Sequence, residues 1–377
     1  MNTIDQTKAV KGSFWGALVF YVIIALEFTY MAGPFAMYFY SVYAPVLNFF
    51  NRSPALAWLS SFFLPHAARE TSSFFISFLQ TAGVVLAVAG FLAFCVGACQ
   101  VYYHKLAKKG IVTGGIYNRM RHPQYASFIV CSFGLLILWP RYIVGILFVT
   151  MVFFYYLLAK VEEAECERKF GQSYIDFKNR TGMFVPFRVS FLPALPRRKS
   201  GKIAAMLCMY ALSIAAVMGM SKGLHTLTIN SLYATYTENA ANVALSRLSA
   251  ERINAAVSVA SADETVAEKL GHFPGGSKFI NYILPVEWFA AEIPMNGLQL
   301  GKGHTSPRDY NPDLYKVIFT KADIRSGGTA AGKAILSSVC LRQPVVEVWV
   351  DLSANAVIRV LEMPEEIKYE GIPVAVF

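Results

Sequence analysis

The sequence lacks the cysteine patterns that mark a disulfide-linked or zinc-binding protein. Its six cysteines are scattered along 377 residues, at Cys95, Cys99, Cys131, Cys166, Cys208 and Cys340. There is no CxxC pair, and no His and Cys residues fall at the spacing of a metal site. Four of the six lie in apolar runs, where cysteine behaves as a small hydrophobic residue. The sequence therefore predicts neither disulfides nor a structural metal.

The N-terminal region also lacks the pattern of a cleavable secretory signal, so we expect none there. The first apolar run covers residues 14–32, and Gly33-Pro34 after it is a chain break rather than a small-residue cleavage site. No internal repeat or low-complexity run stands out. We therefore expect this first run to be a membrane helix.

Apolar residues are too abundant for an ordinary soluble protein. They make up 55% of the chain, which includes 29 Phe and 20 Tyr. Four runs approach the roughly 20 residues that cross a bilayer: residues 14–32, 73–98, 142–159 and 203–220. Residues 35–50 and 126–139 form shorter runs, and the sequence leaves open whether residues 35–50 cross the membrane.

The basic charge is concentrated in the first part of the chain. Residues 1–220 carry 20 Lys and Arg against 8 Asp and Glu, whereas residues 221–377 carry 14 against 16. Most of the excess lies in residues 105–121 and 160–202, at the ends of apolar runs. The positive-inside rule therefore explains it better than nucleic-acid binding does. We expect both basic regions to face the cytoplasm and no nucleic-acid partner.

These patterns predict a mainly α, polytopic membrane helical bundle that contains a helical hairpin and is followed by a small soluble α+β domain. The expected divisions are N-terminal membrane segments in residues 1–70, a membrane core in 71–200, an additional transmembrane helix in 201–222 and the soluble domain in 223–377. Within the tail, the alanine-rich residues 239–270 are expected to be helical. Strands are expected at residues 315–320, 345–351, 356–362 and 372–377, from their β-branched content.

Two polar clusters flank the predicted hairpin. The first is Arg121-His122-Pro123, and the second is Glu162-Glu163. Between them, residues 126–139 and 142–159 form two apolar arms joined at Pro140-Arg141, where Arg141 is expected to reach towards the interface. Because a hairpin returns the chain to the side that it left, the clusters should meet. We expect the active site at this meeting point.

The residues around the clusters also resemble a known superfamily. The pattern runs Val112-Thr113-Gly114, Tyr117, Arg121-His122-Pro123 and Tyr125, then Glu162-Glu163, Cys166, Phe170-Gly171 and Tyr174, and ends with Asn179-Arg180-Thr181-Gly182-Met183-Phe184 and Pro186. It resembles the integral-membrane methyltransferases, a superfamily that contains isoprenylcysteine carboxyl methyltransferases and phospholipid N-methyltransferases. The likeness covers roughly residues 73–188.

The resemblance implies a cytoplasmic cofactor site for S-adenosylmethionine, with S-adenosylhomocysteine as product. Arg121 and His122 would hold the donor carboxylate, and Glu162 and Glu163 would accept from its ribose hydroxyls or ammonium. The tyrosines would pack against the adenine and stabilise the sulfonium by cation–π contact. The residues expected to bind the cofactor are Tyr117, Arg121, His122, Pro123, Tyr125, Glu162, Glu163 and Tyr174. The sequence assigns no catalytic base.

The methyl acceptor implied by the resemblance is a membrane lipid or another lipophilic molecule that presents an amine or a carboxylate. We expect the soluble tail on the opposite side of the membrane from the clusters, as a candidate for binding a protein partner, and the bacterial inner membrane rather than the endoplasmic reticulum. Two alternatives stay open. One is an NADPH-dependent membrane reductase on a related scaffold, and the other is a non-catalytic membrane scaffold.

Overall fold

A computed structural model describes residues 49–50, 53, 55–64, 70–107, 110–187, 198–290, 293, 295–296, 306–324 and 330–363. The predicted span at residues 14–32, nearly all of residues 35–50 and the predicted strand at residues 372–377 lie outside these ranges. The chain divides into two compact units. One contains Val84–Leu136 and Ile146–Ile214, and the other contains Ile137–Gly145 and the chain from Ala215 onward.

Long apolar helices dominate the part of the chain before the tail. The helices there are α1 Phe74–Leu106, α2 Pro123–Leu138, α3 Tyr142–Phe170, α4 Gln172–Arg180 and α5 Lys199–Ser231. Within the described residues, α1, α3 and α5 are long and apolar enough to cross a membrane, and α2 is a shorter apolar helix. The predicted membrane helical architecture is therefore confirmed.

The two arms of the hairpin differ in length. Helix α2 has 16 residues, so it is about 24 Å long and falls short of a hydrocarbon core of about 30 Å. Helix α3 has 29 residues, or about 44 Å, so its last turns extend beyond such a core. Those last turns carry Glu162 and Glu163. The helix thus continues well past residue 159, where the apolar run ends.

Arg141 corrects one prediction made for the hairpin turn. Its side chain is 0% exposed instead of reaching towards the interface. Residues 60–63 cover it: Nη1 donates to the carbonyl oxygen of Ser60, and the guanidinium lies 4.0 Å from the centre of the Phe62 ring. Two backbone hydrogen bonds fix residues 60–63 over the arginine: Phe63 N donates to Pro140 O, and Tyr142 N donates to Ser61 O. A distant segment thus buries the arginine.

Helix α1 packs against α2 through a glycine. A Cβ on Gly90 would lie 2.7 Å from the carbonyl oxygen of Ser127 and 2.8 Å from the Cα of Cys131, and it would overlap the backbone nitrogen of Cys131 as well. The two backbones therefore approach as closely as only glycine permits. This contact fixes α2, whose first residues follow the Arg121-His122 pair.

The tail forms a six-stranded sheet with helices. Its strands are β1 Tyr233–Tyr236, β2 Ala240–Ala244, β3 Lys278–Pro285, β4 Leu314–Ile324, β5 Val339–Asp351 and β6 Ala356–Glu362. Its helices are α6 Ala250–Ser261, α7 Glu264–Gly271 and α8 Ala334–Ser338. The strand order follows the sequence, and β2 and β3 are parallel while every other neighbouring pair is antiparallel. The predicted α+β tail is confirmed.

One helix prediction in the tail is wrong at its start. Residues 240–244 form strand β2, and the helices α6 and α7 begin only after it. Alanine favours helices, but Ala241 and Val243 are fully buried on one face of the sheet and Ala244 on the other. Packing on both faces overrides the local preference. Strands β1, β2 and β3 were not predicted, and β4 and β5 extend beyond their predicted lengths.

Candidate active site

The hairpin brings the two polar clusters into direct contact. Arg121 Nε donates to Glu163 Oε1 over 2.6 Å, and the hydroxyl of Tyr125 donates to Glu162 Oε1 over 2.6 Å. Glu163 is 1% exposed, whereas the side chain of Glu162 is 45% exposed. Adjacent glutamates therefore have different surroundings: Glu163 is an internal counter-ion, and Glu162 is partly accessible to solvent.

Arg121 is held on three sides. Besides its bond to Glu163, Nη1 donates to the carbonyl oxygens of Lys178, over 3.0 Å, and of Thr181. These carbonyls lie at the C-terminal end of α4, where a positive charge is favourable. Arg121 thus joins the first motif to α3 and to the end of α4. This structural task accompanies any role in binding a donor carboxylate.

A short backbone pairing fixes the position of the first motif. Arg121 N donates to the carbonyl oxygen of Gly182 over 2.9 Å, and His122 N donates to that of Met183 over 3.0 Å. A Cβ on Gly182 would lie 2.5 Å from the carbonyl oxygen of Phe187, so the tight fold of this segment requires glycine. The backbone of the Thr181-Gly182-Met183 stretch therefore positions Arg121 and His122.

His122 lies between the two glutamates. Its Nδ1 is 3.4 Å from Glu162 Oε2, and its Nε2 is 3.6 Å from Glu163 Oε1. Burial by itself would lower the pKa of His122, but the bonds and charges of the two glutamates outweigh burial and raise it above the ordinary value. The imidazole is therefore held in its charged form beyond the usual pH range.

Lys178 is a site residue that the sequence did not single out. Its Nζ lies 3.2 Å from Glu163 Oε2 and 2.5 Å from Glu167 Oε1. Burial opposes its charge, but the bond to Glu167 and the charge of Glu163 raise the pKa of the amine overall. Glu163 is thus neutralised from two directions, by Arg121 and by Lys178. The sequence feature that could have identified Lys178 is its position directly before the Asn179-Arg180-Thr181 motif.

The three predicted tyrosines are all buried. Tyr125 stacks on His122, with ring centres 5.5 Å apart, and on Tyr155, with centres 4.8 Å apart. Burial raises the pKa of Tyr117 and of Tyr174, helped by the charges of Glu162 and Glu163 respectively, so both phenols stay neutral. A ligand ring that stacked on Tyr125 would have to displace His122 or Tyr155.

The raised pKa of His122 predicts a pH-dependent stability. The stabilisation from its charged form is fully present below about pH 6.5 and is lost as the pH rises through the higher folded-state pKa. The unfolding temperature of the wild type should therefore exceed that of His122→Gln by more at about pH 6 than at about pH 9. Thermal unfolding in detergent measures this difference. His272→Gln, at an exposed histidine of the tail, is the control, and a pH-independent difference for His122→Gln would contradict the prediction.

Comparison with known proteins identifies the segment that carries the clusters. Residues 77–173 match the family model described as phospholipid methyltransferase. The chain is 34% identical over 86 residues to protein-S-isoprenylcysteine O-methyltransferase B of Arabidopsis thaliana, a stretch that covers 22% of this chain and 41% of that protein. The predicted resemblance to the integral-membrane methyltransferases is confirmed. No solved structure matches the chain.

A second relative supports the same assignment for this methyltransferase-like segment, residues 77–173. The chain is 37% identical over 79 residues to the protein-S-isoprenylcysteine O-methyltransferase of Saccharomyces cerevisiae, covering 20% of this chain and 33% of that protein. The chain thus spans about a third to two fifths of the length of these relatives. The segment contains both polar clusters, but it ends before Tyr174, Lys178 and Thr181.

Proposed function

We propose that this protein is a membrane methyltransferase that moves a methyl group from S-adenosylmethionine to a lipidic or small amphipathic acceptor. The observation that supports it most is the joined network of Arg121, His122, Glu162 and Glu163, built from two distant motifs at the base of an apolar hairpin. The names of the matched family and of the relatives point to the same chemistry.

The residues present fit the charges of the proposed donor. The donor has a carboxylate, an ammonium group and a ribose diol, and it supplies an electrophilic methyl group on a sulfonium. His122 offers a positive charge next to the open carboxylate of Glu162, so an anionic and a cationic group can bind side by side. Because Arg121 is engaged with Glu163 and two carbonyls, its larger task is to hold His122 and α4 in place.

Methyl transfer is an in-line displacement that needs alignment more than acid–base help. The stacked rings of His122, Tyr125 and Tyr155 give the network one buried side, which would help to exclude water and to hold donor and acceptor in line. The apolar hairpin offers a lipophilic acceptor a route from the bilayer. The phospholipid and isoprenylcysteine chemistry named for the relatives leaves amine and carboxylate acceptors as the two classes to test.

Calorimetry in detergent tests this function. The full-length protein is expected to bind S-adenosylhomocysteine, and Glu162→Gln is expected to weaken binding by about tenfold or more, because one charge-assisted bond is worth about 1.5–3 kcal/mol. Glu162 is preferred to Arg121 for this test because its side chain is 45% exposed, whereas that of Arg121 is 9% exposed.

The matched control is Glu165→Gln, one turn along the same helix. The side chain of Glu165 is 66% exposed and faces Arg168, so donor affinity should stay at the wild-type level. Heat with NADPH and none with S-adenosylhomocysteine would favour the reductase alternative. Absence of binding for both would favour the non-catalytic scaffold, and equal affinities of the two glutamate variants would place the donor elsewhere.

The charge pattern predicts the membrane sidedness. Residues 160–202 carry ten Lys and Arg, which should remain in the cytoplasm, and α5 is a single apolar helix of 33 residues. We expect residues 226–377 on the opposite side of the membrane. Reporters fused after Phe377, one active only in the cytoplasm and one only outside it, measure this. Cytoplasmic activity alone would show that α5 does not cross.

A further inference from the structure

One face of α1 lies against the turn that begins the first motif. At Gly97, a Cβ would come within 3.0 Å of side-chain atoms of Gln124 and of Ile116. One turn later, the carboxamide of Gln100 lies on Gly115, where a Cβ would overlap it and where φ is +60°. Glycine at position 115 thus lets the amide of Gln100 reach the backbone of the motif.

This face carries polar atoms that need a partner. Within the part of the chain that the structure describes, neither Oε1 of Gln100 nor Nδ1 of His104 has a hydrogen bond, although both atoms are buried. The two residues are four apart and so share one side of the helix. Buried polar atoms are normally hydrogen-bonded because leaving them unpaired costs free energy. A pair of such atoms on one face therefore marks a place for a polar ligand.

The face is continuous with the His122–Glu162 pair. Gly115 opens the short 3-10 turn Gly115–Asn118, which contains the buried Tyr117. The same face of α1 meets Gln124 through Gly97, and Gln124 follows His122 by two residues, so Gln100 and the network adjoin the same stretch, residues 115–124. A ligand that bridges the two must engage Glu162 at one end and Gln100 at the other.

We propose that Gln100 binds the edge of the adenine ring of the methyl donor. This inference rests on the proposed function and extends it to the base of the nucleoside. A carboxamide offers one donor and one acceptor side by side, and the adenine amino group and ring nitrogen N7 present the complementary pair. The contacts implied by the resemblance serve the carboxylate, the ribose and the ring faces, so the ring edge still needs a binding residue.

The test compares two ligands that differ only at that edge. S-Inosylhomocysteine carries a carbonyl where S-adenosylhomocysteine carries the amino group, so its edge beside N7 presents two acceptors and can make only one of the two bonds to the amide of Gln100. By calorimetry on the full-length protein, the wild type should prefer the adenine ligand by about tenfold, the value of a good amide–adenine pair. Gln100→Met, which keeps length but removes the amide, should bring the ratio of the two affinities close to one.

The control is Tyr102→Phe, at an exposed residue of the same helix, which should keep the wild-type ratio. Gln100→Leu is a second removal of the amide, for use if the Met variant is unstable. A wild type that binds both ligands equally, or Gln100 variants that weaken both but preserve the ratio, would overturn the assignment and reduce Gln100 to a packing role. A wild type that binds neither ligand would instead contradict the proposed function.

Discussion

Glu163→Gln is expected to lower the free energy of unfolding by about 3–5 kcal/mol, the usual effect of removing one partner of a buried ion pair. Glu163 is 1% exposed and receives Arg121 Nε at 2.6 Å, with Lys178 Nζ at 3.2 Å. Without its charge, the guanidinium, only 9% exposed, would remain buried beside a neutral amide. Denaturant unfolding of the purified protein in detergent measures the loss.

Glu165→Gln provides the comparison for that experiment. It makes the same chemical change two residues later in α3, but at a side chain that is 66% exposed and 3.6 Å from Arg168. Exposed pairs contribute little, so the variant should stay within about 0.5 kcal/mol of the wild type. If both variants unfold at the same denaturant concentration, the Arg121–Glu163–Lys178 network is not a principal support of the membrane unit.

Gly90→Val is the second substitution expected to have a large effect. The added side chain would meet backbone atoms, the carbonyl oxygen of Ser127 at 2.7 Å and the Cα of Cys131 at 2.8 Å. Backbone cannot rotate away as a flexible side chain can, so α1 and α2 must separate. Overpacking of this kind costs about 1–3 kcal/mol, and we expect the upper end. The same unfolding assay measures it, and donor affinity should fall too because α2 carries Tyr125.

Gly219→Val, in α5, is the matched control. A Cβ there meets nothing within 4 Å, so the variant should lose no packing, and glycine itself is a poor helix former by about 1 kcal/mol. The control should therefore be neutral or slightly stabilising. Equal losses at the two positions would mean that the α1–α2 contact is not specific.

The hairpin and the meeting of its two clusters could be predicted because their signals are local. Two apolar runs that break at Pro140 indicate a returning chain, and the charged Glu162-Glu163 pair marks where the second arm leaves the apolar layer. The end of that arm could not be predicted from hydropathy alone. Helix α3 continues through its charged turns to Phe170, because helical hydrogen bonding does not require apolar residues.

The residues that hold Arg121 in position left a weaker signal in the sequence. The carbonyl oxygens of Lys178 and Thr181 accept from Arg121, although they lie about 60 residues later in the chain. A backbone carbonyl leaves no pattern in a sequence, and neither does one lysine among many. The burial of Arg141 by residues 60–63 was missed for the same reason, since its partners come from another part of the chain. Tertiary contacts of this kind are visible only once the fold is known.

In the tail, the helix propensity of alanine gave a wrong prediction at β2. Ala240–Ala244 is rich in alanine, and its strand conformation depends on β3, which lies parallel to it some 40 residues later. The β-branched stretches of β4, β5 and β6 were recognisable because Val and Ile, which are enriched in strands, occur there in short runs between turn-like boundaries. The helix preference of alanine is weaker than the packing on both faces of the sheet, so the packing decides the conformation of β2.

The pairing of Arg121 with the end of α4 sets an order of events during synthesis. The first motif is made well before residues 178–183, since 57 and 60 positions separate Arg121 from the two carbonyls that receive its guanidinium. When Phe170 is added to the growing chain, both polar clusters and the whole hairpin have already been synthesised. The backbone carbonyls that accept from Arg121 have not. The contacts of Arg121 with these two carbonyls can therefore form only after α4 has been synthesised.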